Sequence, residues 1–271
     1  MASPNRVGLI AGNGKFPFLV LEAARSQGIE MVVAAVKEET FPEIEQHAKT
    51  VHWLALGQLG KLIKTFKAEG ITQAIMAGQV KHKQIFSSGI PDLKMMQLLA
   101  SLATKNTDSL IGAVARVLEQ EGIHLLESTV FLRPLLPEPG VLTSRGPTDD
   151  EKRDLDYGYG LARELGRLDV GQSVAVSDVA CVALEAMEGT DAVMERAASL
   201  VNGRSLRVVK LAKPKQDLRF DVPTIGLRTI ETMVRCKVSA MAIEARKTLM
   251  IDREELIVRA NSAGIAIIAV E

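Results

Sequence analysis

Short apolar runs alternate with amphipathic stretches from the start of the chain. Residues 6–11, Arg-Val-Gly-Leu-Ile-Ala, form one run of strand length. Gly12-Asn13-Gly14 follows as a turn, and Pro17 opens a helix to about Gln27. Proline in a first helical turn forfeits no hydrogen bond. Gly28 stops the helix, and residues 30–36 make a second apolar run. A strand, a helix and a strand in this order imply a parallel sheet. The rhythm continues with strands at 51–54 and 73–77 around a helix at 59–69, where Leu62, Ile63 and Phe66 share a face. Helices near 92–103 and 108–121 precede a strand at 123–126.

The texture then changes. Residues 133–140 carry Pro134, Pro137, Pro139 and Gly140, which stiffen the path and remove donors. This predicts a linker at 134–140 between domains at 1–133 and 141–271. Beyond it lie helices at 148–168, 191–201, 225–236 and 254–263. Thr148 or Asp149 would cap the first of these, and Thr190 or Asp191 the second. Strands are expected at 173–176, 206–211, 240–244 and 265–270. The fold class is α/β: a Rossmann-like, doubly wound parallel sheet first, then a mixed α/β domain.

Composition sharpens this picture. Hydrophobic residues make up 47% of the 271 positions and aromatics only 4%, so the core rests on aliphatic side chains, as in sheets covered by helices. Lys plus Arg equals Asp plus Glu at 33 each, which argues against a nucleic-acid binder. Two cysteines, Cys181 and Cys236, and four histidines without ligand spacing argue against a disulfide framework or a zinc site. His82, in a basic stretch, reads as a solvated side chain. The opening residues do not form a signal peptide, and no apolar run reaches the roughly 18 residues of a spanning helix. The expected compartment is the cytoplasm.

Two stretches carry candidate chemistry. Gly12-Asn13-Gly14 stands between a strand and a helix N-terminus, where backbone N–H groups can hold phosphate. Pro17 stands where the dinucleotide fingerprint wants Gly or Ala, so the match is half complete even with Glu38 or Glu39 as a ribose acid. The second stretch is KPKQDLRFDVPTIG, residues 213–226. As a strand it would put Lys213, Lys215, Asp217, Arg219 and Asp221 on one face. Such a face can pair phosphates with cations and a metal with an acid. The plainer alternatives are a charged edge strand and an Asp221 that caps the next helix. Gly78, Gln79 and Lys81 follow the strand at 73–77, at the end where parallel sheets bind ligands. Asp108 at a helix start suits the helix dipole or a polar contact. Leu93, Met95, Met96, Leu98, Leu99 and Leu102 read first as core and second as an apolar slot.

The segments GLIAGNGKFP (8–17), AGQVKHKQIF (77–86), TDSLIGAVA (107–115), VALEAMEGTDAV (182–193), KLAKPKQDLRFDVPTIG (210–226) and ARKTLMIDREE (245–255) together resemble the LpxI-type UDP-2,3-diacylglucosamine pyrophosphatases of lipid A biosynthesis. The resemblance spans nearly the whole chain. It implies two α/β domains that hold the lipid nucleotide between them, and Mg²⁺-dependent hydrolysis of the diphosphate to UMP and lipid X. It also implies catalysis in the C-terminal domain, where the family's essential aspartate falls on Asp221 as catalytic residue and metal ligand. Substrate contacts are then expected from Gly12, Asn13, Gly14, Gly78, Gln79, Lys81, Asp108, Thr190, Asp191 and Lys213. The implied partner is a glycolipid nucleotide, met by peripheral contact with the inner membrane. An edge strand in either domain can support a homodimer. A nicotinamide oxidoreductase built on the glycine turn and a non-catalytic nucleotide-binding regulator are the competing functions.

Overall fold

The computed structural model describes residues 6–80, 91–102 and 107–271, the side chains of residues 107 and 108 excepted. The chain divides into two units, the first comprising the residues up to Leu132 together with Leu218–Phe220, the second Arg133–Asp217 and Asp221–Glu271.

The first unit runs β1 (Arg6–Ala11), α1 (Phe16–Ser26), β2 (Glu30–Val36), β3 (Thr50–Leu54), α2 (Leu59–Ala68), β4 (Gln73–Ala77), α3 (Leu93–Ser101), α4 (Thr107–Gln120) and β5 (His124–Leu125). Its five strands stand in the order β3-β2-β1-β4-β5, each pair parallel. This is the doubly wound arrangement expected from the alternation. On one face Ala34, Ala74, Phe66, Leu98 and Leu118 form a common core. The Phe66 ring lies so close to β1 that a Cβ at Gly8 would stand 2.8 Å from it. Asp92 ties two helices together: its carboxylate accepts from Met95 N at 2.9 Å, capping α3, and from Gly60 N at 2.6 Å, at the start of α2.

Ser128 is buried and anchors the returning segment of this unit. Its amide donates to Leu218 O at 2.9 Å, and its hydroxyl lies 2.6 Å from Met76 O and 2.7 Å from Arg219 O.

The second unit runs β6 (Gly140–Val141), α5 (Asp149–Arg167), β7 (Ser173–Ser177), β8 (Ala180–Leu184), α6 (Thr190–Leu200), β9 (Leu206–Lys210), β10 (Thr224–Ile225), α7 (Leu227–Arg235), β11 (Val238–Glu244), β12 (Leu249–Met250), α8 (Arg253–Ser262) and β13 (Ala266–Val270). Six strands form a mixed sheet in the order β6-β13-β11-β9-β7-β8. The inner trio β13, β11 and β9 is parallel, and β6, β7 and β8 are antiparallel to their neighbours. Leu155, Ala162 and Leu165 of α5 cover one face against Val174 and Val209. Met194, Ile230, Met233 and Leu256 cover the other. The proline-rich stretch packs with this unit: Arg253 donates to Pro134 O at 2.6 Å and Arg246 N to Pro137 O at 2.8 Å.

Two local expectations are overturned, and one element appears that was not foreseen. The helix expected from 225 starts at Leu227, because Thr224 and Ile225 pair with Leu249 and Met250 of β12. The stretch from Lys213 to Asp221 is not a strand. Gln216 N donates to Lys213 O at 3.0 Å and Asp221 N to Asp217 O at 2.9 Å, so the chain turns twice. Pro214 and Pro223 lack the donors that a ladder would require. The hairpin between β7 and β8 was not expected at all. Its turn residues Asp178 and Val179 both have positive φ, 54° and 56°, without the usual Asn or Gly. Asp154 of α5 compensates by accepting both their amides, at 3.2 and 2.6 Å.

Candidate active site

The first unit brings its two glycine loops together at the point where the strand order reverses. Gly12 N donates to Ala77 O at 2.8 Å, Asn13 N to Gln79 O at 2.7 Å, and Gln79 N to Asn13 O at 3.0 Å. The loops touch so closely that a Cβ on Gly12 would lie 2.6 Å from Gln79 O, and one on Gly78 2.6 Å from Asn13 O. Gly78 also has φ +94°. These two glycines thus serve the contact between loops, and the Gly12 and Asn13 amides are engaged within it. Gly14, with φ +92° and open space where a Cβ would stand, leads into α1. Asn13 donates its side-chain amide to buried Glu39 at 3.3 Å, and Glu38 accepts from Leu56 N at 3.3 Å. Both acids considered for ribose recognition therefore have protein partners.

At the same carboxyl ends of the strands lies an apolar cavity of about 240 Å³. Ile10, Ala34 and Met76 of the sheet, Met95 and Leu99 of α3, and Phe220 of the returning segment line it. Of the residues read first as core and second as an apolar slot, Met95 and Leu99 line this cavity and also pack against the core. Leu93 and Met96 are exposed, and Leu98 is buried in the core. One helix presents different faces to the cavity, to solvent and to the sheet.

The second unit gathers polar groups where β9 ends. Lys210 closes that strand, directly opposite Ser173 of β7. Its side chain is buried, and Nζ donates to Thr190 Oγ1 at 2.9 Å. The Ser173 hydroxyl lies 2.9 Å from the same oxygen. Burial pushes the Lys210 ammonium below its ordinary value, while the charges of Glu185, Asp191 and Asp221 oppose that shift. Glu185 is buried and accepts from Gln172 N at 3.3 Å. Glu244, buried at the end of β11, accepts from Ala212 N at 2.8 Å.

Thr190 and Asp191 do not cap α6. Gly189, with φ 86°, is the residue before its first turn, and the Thr190 hydroxyl faces Lys210 instead. Asp191 lies in that first turn, suited to the helix dipole, and pairs with Arg228 at 3.2 Å. Asp221 does not cap α7 either, since Gly226 N donates to Thr229 Oγ1 at 3.3 Å immediately before that helix. Lys213 pairs with Asp169 at 2.8 Å, and its amide N–H donates to Gln216 Oε1 at 2.7 Å. Lys81 and the Asp108 side chain lie outside the described residues.

The cluster around Lys210 thus joins Thr190, Asp191 and Asp221, which were expected, with Lys210 and Ser173, which were not. The one local signal was a lysine closing the strand LRVVK. Among the described residues no three His, Cys, Asp or Glu side chains stand together as a metal site. The carboxylates near Lys210 offer oxygen donors alone. That suits Mg²⁺, which takes one or two carboxylates and completes its shell with water and phosphate oxygens.

Comparison with known proteins places these features in context. The model for the LpxI N-terminal domain matches residues 6–135, and that for the LpxI C-terminal domain matches residues 138–268. A protein of Caulobacter vibrioides named UDP-2,3-diacylglucosamine pyrophosphatase LpxI is 32% identical over 276 residues, covering 98% of each chain. Among solved structures, the biotin carboxylase domain of Hydrogenobacter thermophilus 2-oxoglutarate carboxylase is matched over 65% of this chain and 35% of its own, at 12% identity. Its TM-score of 0.29 is too low to bear on fold or function. The two domain models, in order and over almost the entire length, and the full-length relative establish that this chain belongs to the LpxI family.

Proposed function

We propose that the protein hydrolyses the diphosphate of UDP-2,3-diacylglucosamine with Mg²⁺, releasing UMP and 2,3-diacylglucosamine 1-phosphate for lipid A synthesis. The observation that carries this reading is the full-length match to a relative of that name. The geometry supplies chemistry of the required kind in each unit. An apolar cavity of about 240 Å³ suits an acyl chain, and flexible Met76 and Met95 adapt to its shape. The second unit supplies a buried cation and several carboxylates for an anionic, slowly hydrolysed diphosphate.

Asp221 is the proposed metal ligand and water-orienting residue. When bound, Mg²⁺ would neutralise charge on the diphosphate. Asp221 follows Phe220 and precedes Pro223, and the Asp217–Asp221 turn fixes its backbone. Thr190 and Asp191 are proposed to contact the sugar or nucleotide, and Gly14 the phosphates at the start of α1. The nicotinamide alternative is disfavoured by the engagement of the Gly12 and Asn13 amides and of Glu39. Among the described residues no helix is long and apolar enough to cross a membrane. Collection of the lipid by peripheral contact with the inner membrane is part of the proposal.

The test is UMP release from detergent-dispersed UDP-2,3-diacylglucosamine. Turnover with Mg²⁺ and its loss in EDTA are expected. Turnover that persists in EDTA would remove the metal, and no turnover at all would remove the reaction. Hydrolysis in oxygen-18 water is expected to label the sugar phosphate rather than UMP.

A further inference from the structure

We propose that Lys210 is a phosphate-binding residue whose ammonium, aimed by Thr190 and Ser173, donates to a diphosphate oxygen of the ligand. The inference rests on the hydrolase reading for its ligand and deepens it.

An ammonium has three N–H donors. Among the described residues the Lys210 ammonium has one hydrogen-bond partner, the neutral hydroxyl of Thr190 at 2.9 Å. The carboxylates of Glu185, Asp191 and Asp221 act on it through their charge, and none of them forms an ion pair with it among the described residues. Glu185 accepts from Gln172 N, and Asp191 pairs with Arg228. A buried cation without an anion in direct contact is costly, and an incoming oxyanion relieves that cost.

The surroundings are built to aim this group. Ser173, fully buried, lies 2.9 Å from the Thr190 oxygen, so strand β7 and the start of α6 fix the hydroxyl that Lys210 meets. Lys210 stands at the carboxyl end of β9, within the parallel trio of strands. Ligands of open α/β sheets bind outside that end. Asp221 is the acid proposed for catalysis, and its charge acts on the same ammonium. A phosphate held by Lys210 would therefore stand in the field that surrounds Asp221. The lysine binds the reacting group and takes no part in proton transfer.

The experiment pairs calorimetric titration with inorganic pyrophosphate in EDTA with turnover of UDP-2,3-diacylglucosamine. Both are run on the wild type, Lys210→Met and Thr190→Val, each checked by thermal melting. Lys210→Met keeps the volume and removes the charge. It is expected to bind pyrophosphate about tenfold to hundredfold more weakly, the scale of one charged hydrogen bond, without a lower melting temperature. Thr190→Val should lose a smaller factor in affinity, because the cation remains but is no longer aimed. Equal affinity of the wild type and Lys210→Met, or no pyrophosphate binding by the wild type, overturns the assignment. If Lys210→Met does not fold, an unchanged affinity of Thr190→Val does so. A wild type that binds pyrophosphate through Lys210 yet fails to hydrolyse the lipid nucleotide keeps the assignment and removes the reaction. A wild type that hydrolyses it, with Lys210→Met equal in affinity and rate, does the reverse.

Discussion

Asp221 and Val179 show how differently single residues enter the molecule. Asp221 is only partly buried and caps no helix, so its removal leaves the packing of both faces of the sheet intact. Asp221→Ala is expected to melt within a few degrees of the wild type. Its turnover should fall by several powers of ten if Asp221 has the proposed role, because loss of such a metal ligand or water-orienting group removes on the order of 3–5 kcal/mol of transition-state stabilisation. Near wild-type turnover in that variant would remove Asp221 from the mechanism. Val179 is the opposite case, a β-branched residue held at φ 56° in an exposed turn. Glycine accepts that backbone without the steric cost. Val179→Gly should therefore raise stability by about 1 kcal/mol, read from urea unfolding, even though it enlarges the freedom of the unfolded chain.

Among the elements, α5 has the most heavily fixed start. Thr148 Oγ1 accepts from Glu151 N at 3.2 Å, and Glu151 accepts from Thr148 N at 2.8 Å, a reciprocal cap. Arg145 then grips the same Glu151 carboxylate with two nitrogens, at 2.7 and 3.0 Å. Burial alone would raise this carboxyl, but the hydrogen bonds from Arg145 and the Thr148 amide outweigh it and hold the group at about 2. A depressed value in the folded state stabilises the fold above the ordinary carboxylate range. That contribution is lost as pH falls from about 4.5 through about 2. Glu151→Gln should lower stability at neutral pH by about 1–3 kcal/mol and flatten the acid limb of the stability curve below pH 5. Parallel acid limbs in the two proteins would show that the carboxylate contributes nothing across that range.

At the scale of the molecule, the first unit is not continuous in sequence. Leu218–Phe220 belongs to it, held by Ser128, and Phe220 supplies part of the cavity wall. A fragment ending at Leu132 therefore lacks the acceptors at Leu218 and Arg219 and the Phe220 ring. It is expected to unfold at lower urea concentration than the same unit within the full chain, followed at Trp53 by fluorescence. Ser128→Ala in the full chain should cost about 1–3 kcal/mol, since the Leu218 contact survives through the backbone while the Arg219 carbonyl loses its side-chain donor. A fragment as stable as the intact unit would show that the returning segment adds no stability.

The order of strands and helices was legible in the sequence because it depends on patterns within a few residues. Apolar runs such as 30–36 are strands covered on both faces, Pro17 starts a helix, and Thr148 caps one. The fold class followed from that order, and the family from long motifs spread along the chain. Only tertiary structure decided what the glycines and charged residues do. Gly12 and Gly78 proved to be matched to each other, 66 positions apart, where two loops meet. The charged stretch from Lys213 to Asp221 alternates like a strand but turns, because Pro214 within it and Pro223 just beyond it cannot donate to a ladder. Lys210 fell inside the strand expected at 206–211 without a role of its own, and its partners Ser173 and Thr190 lie 37 and 20 positions away. Local pattern records the preference of each residue for helix, strand or turn. It does not record which distant groups a packed sheet brings within 3 Å, and this protein's candidate site is made of such groups.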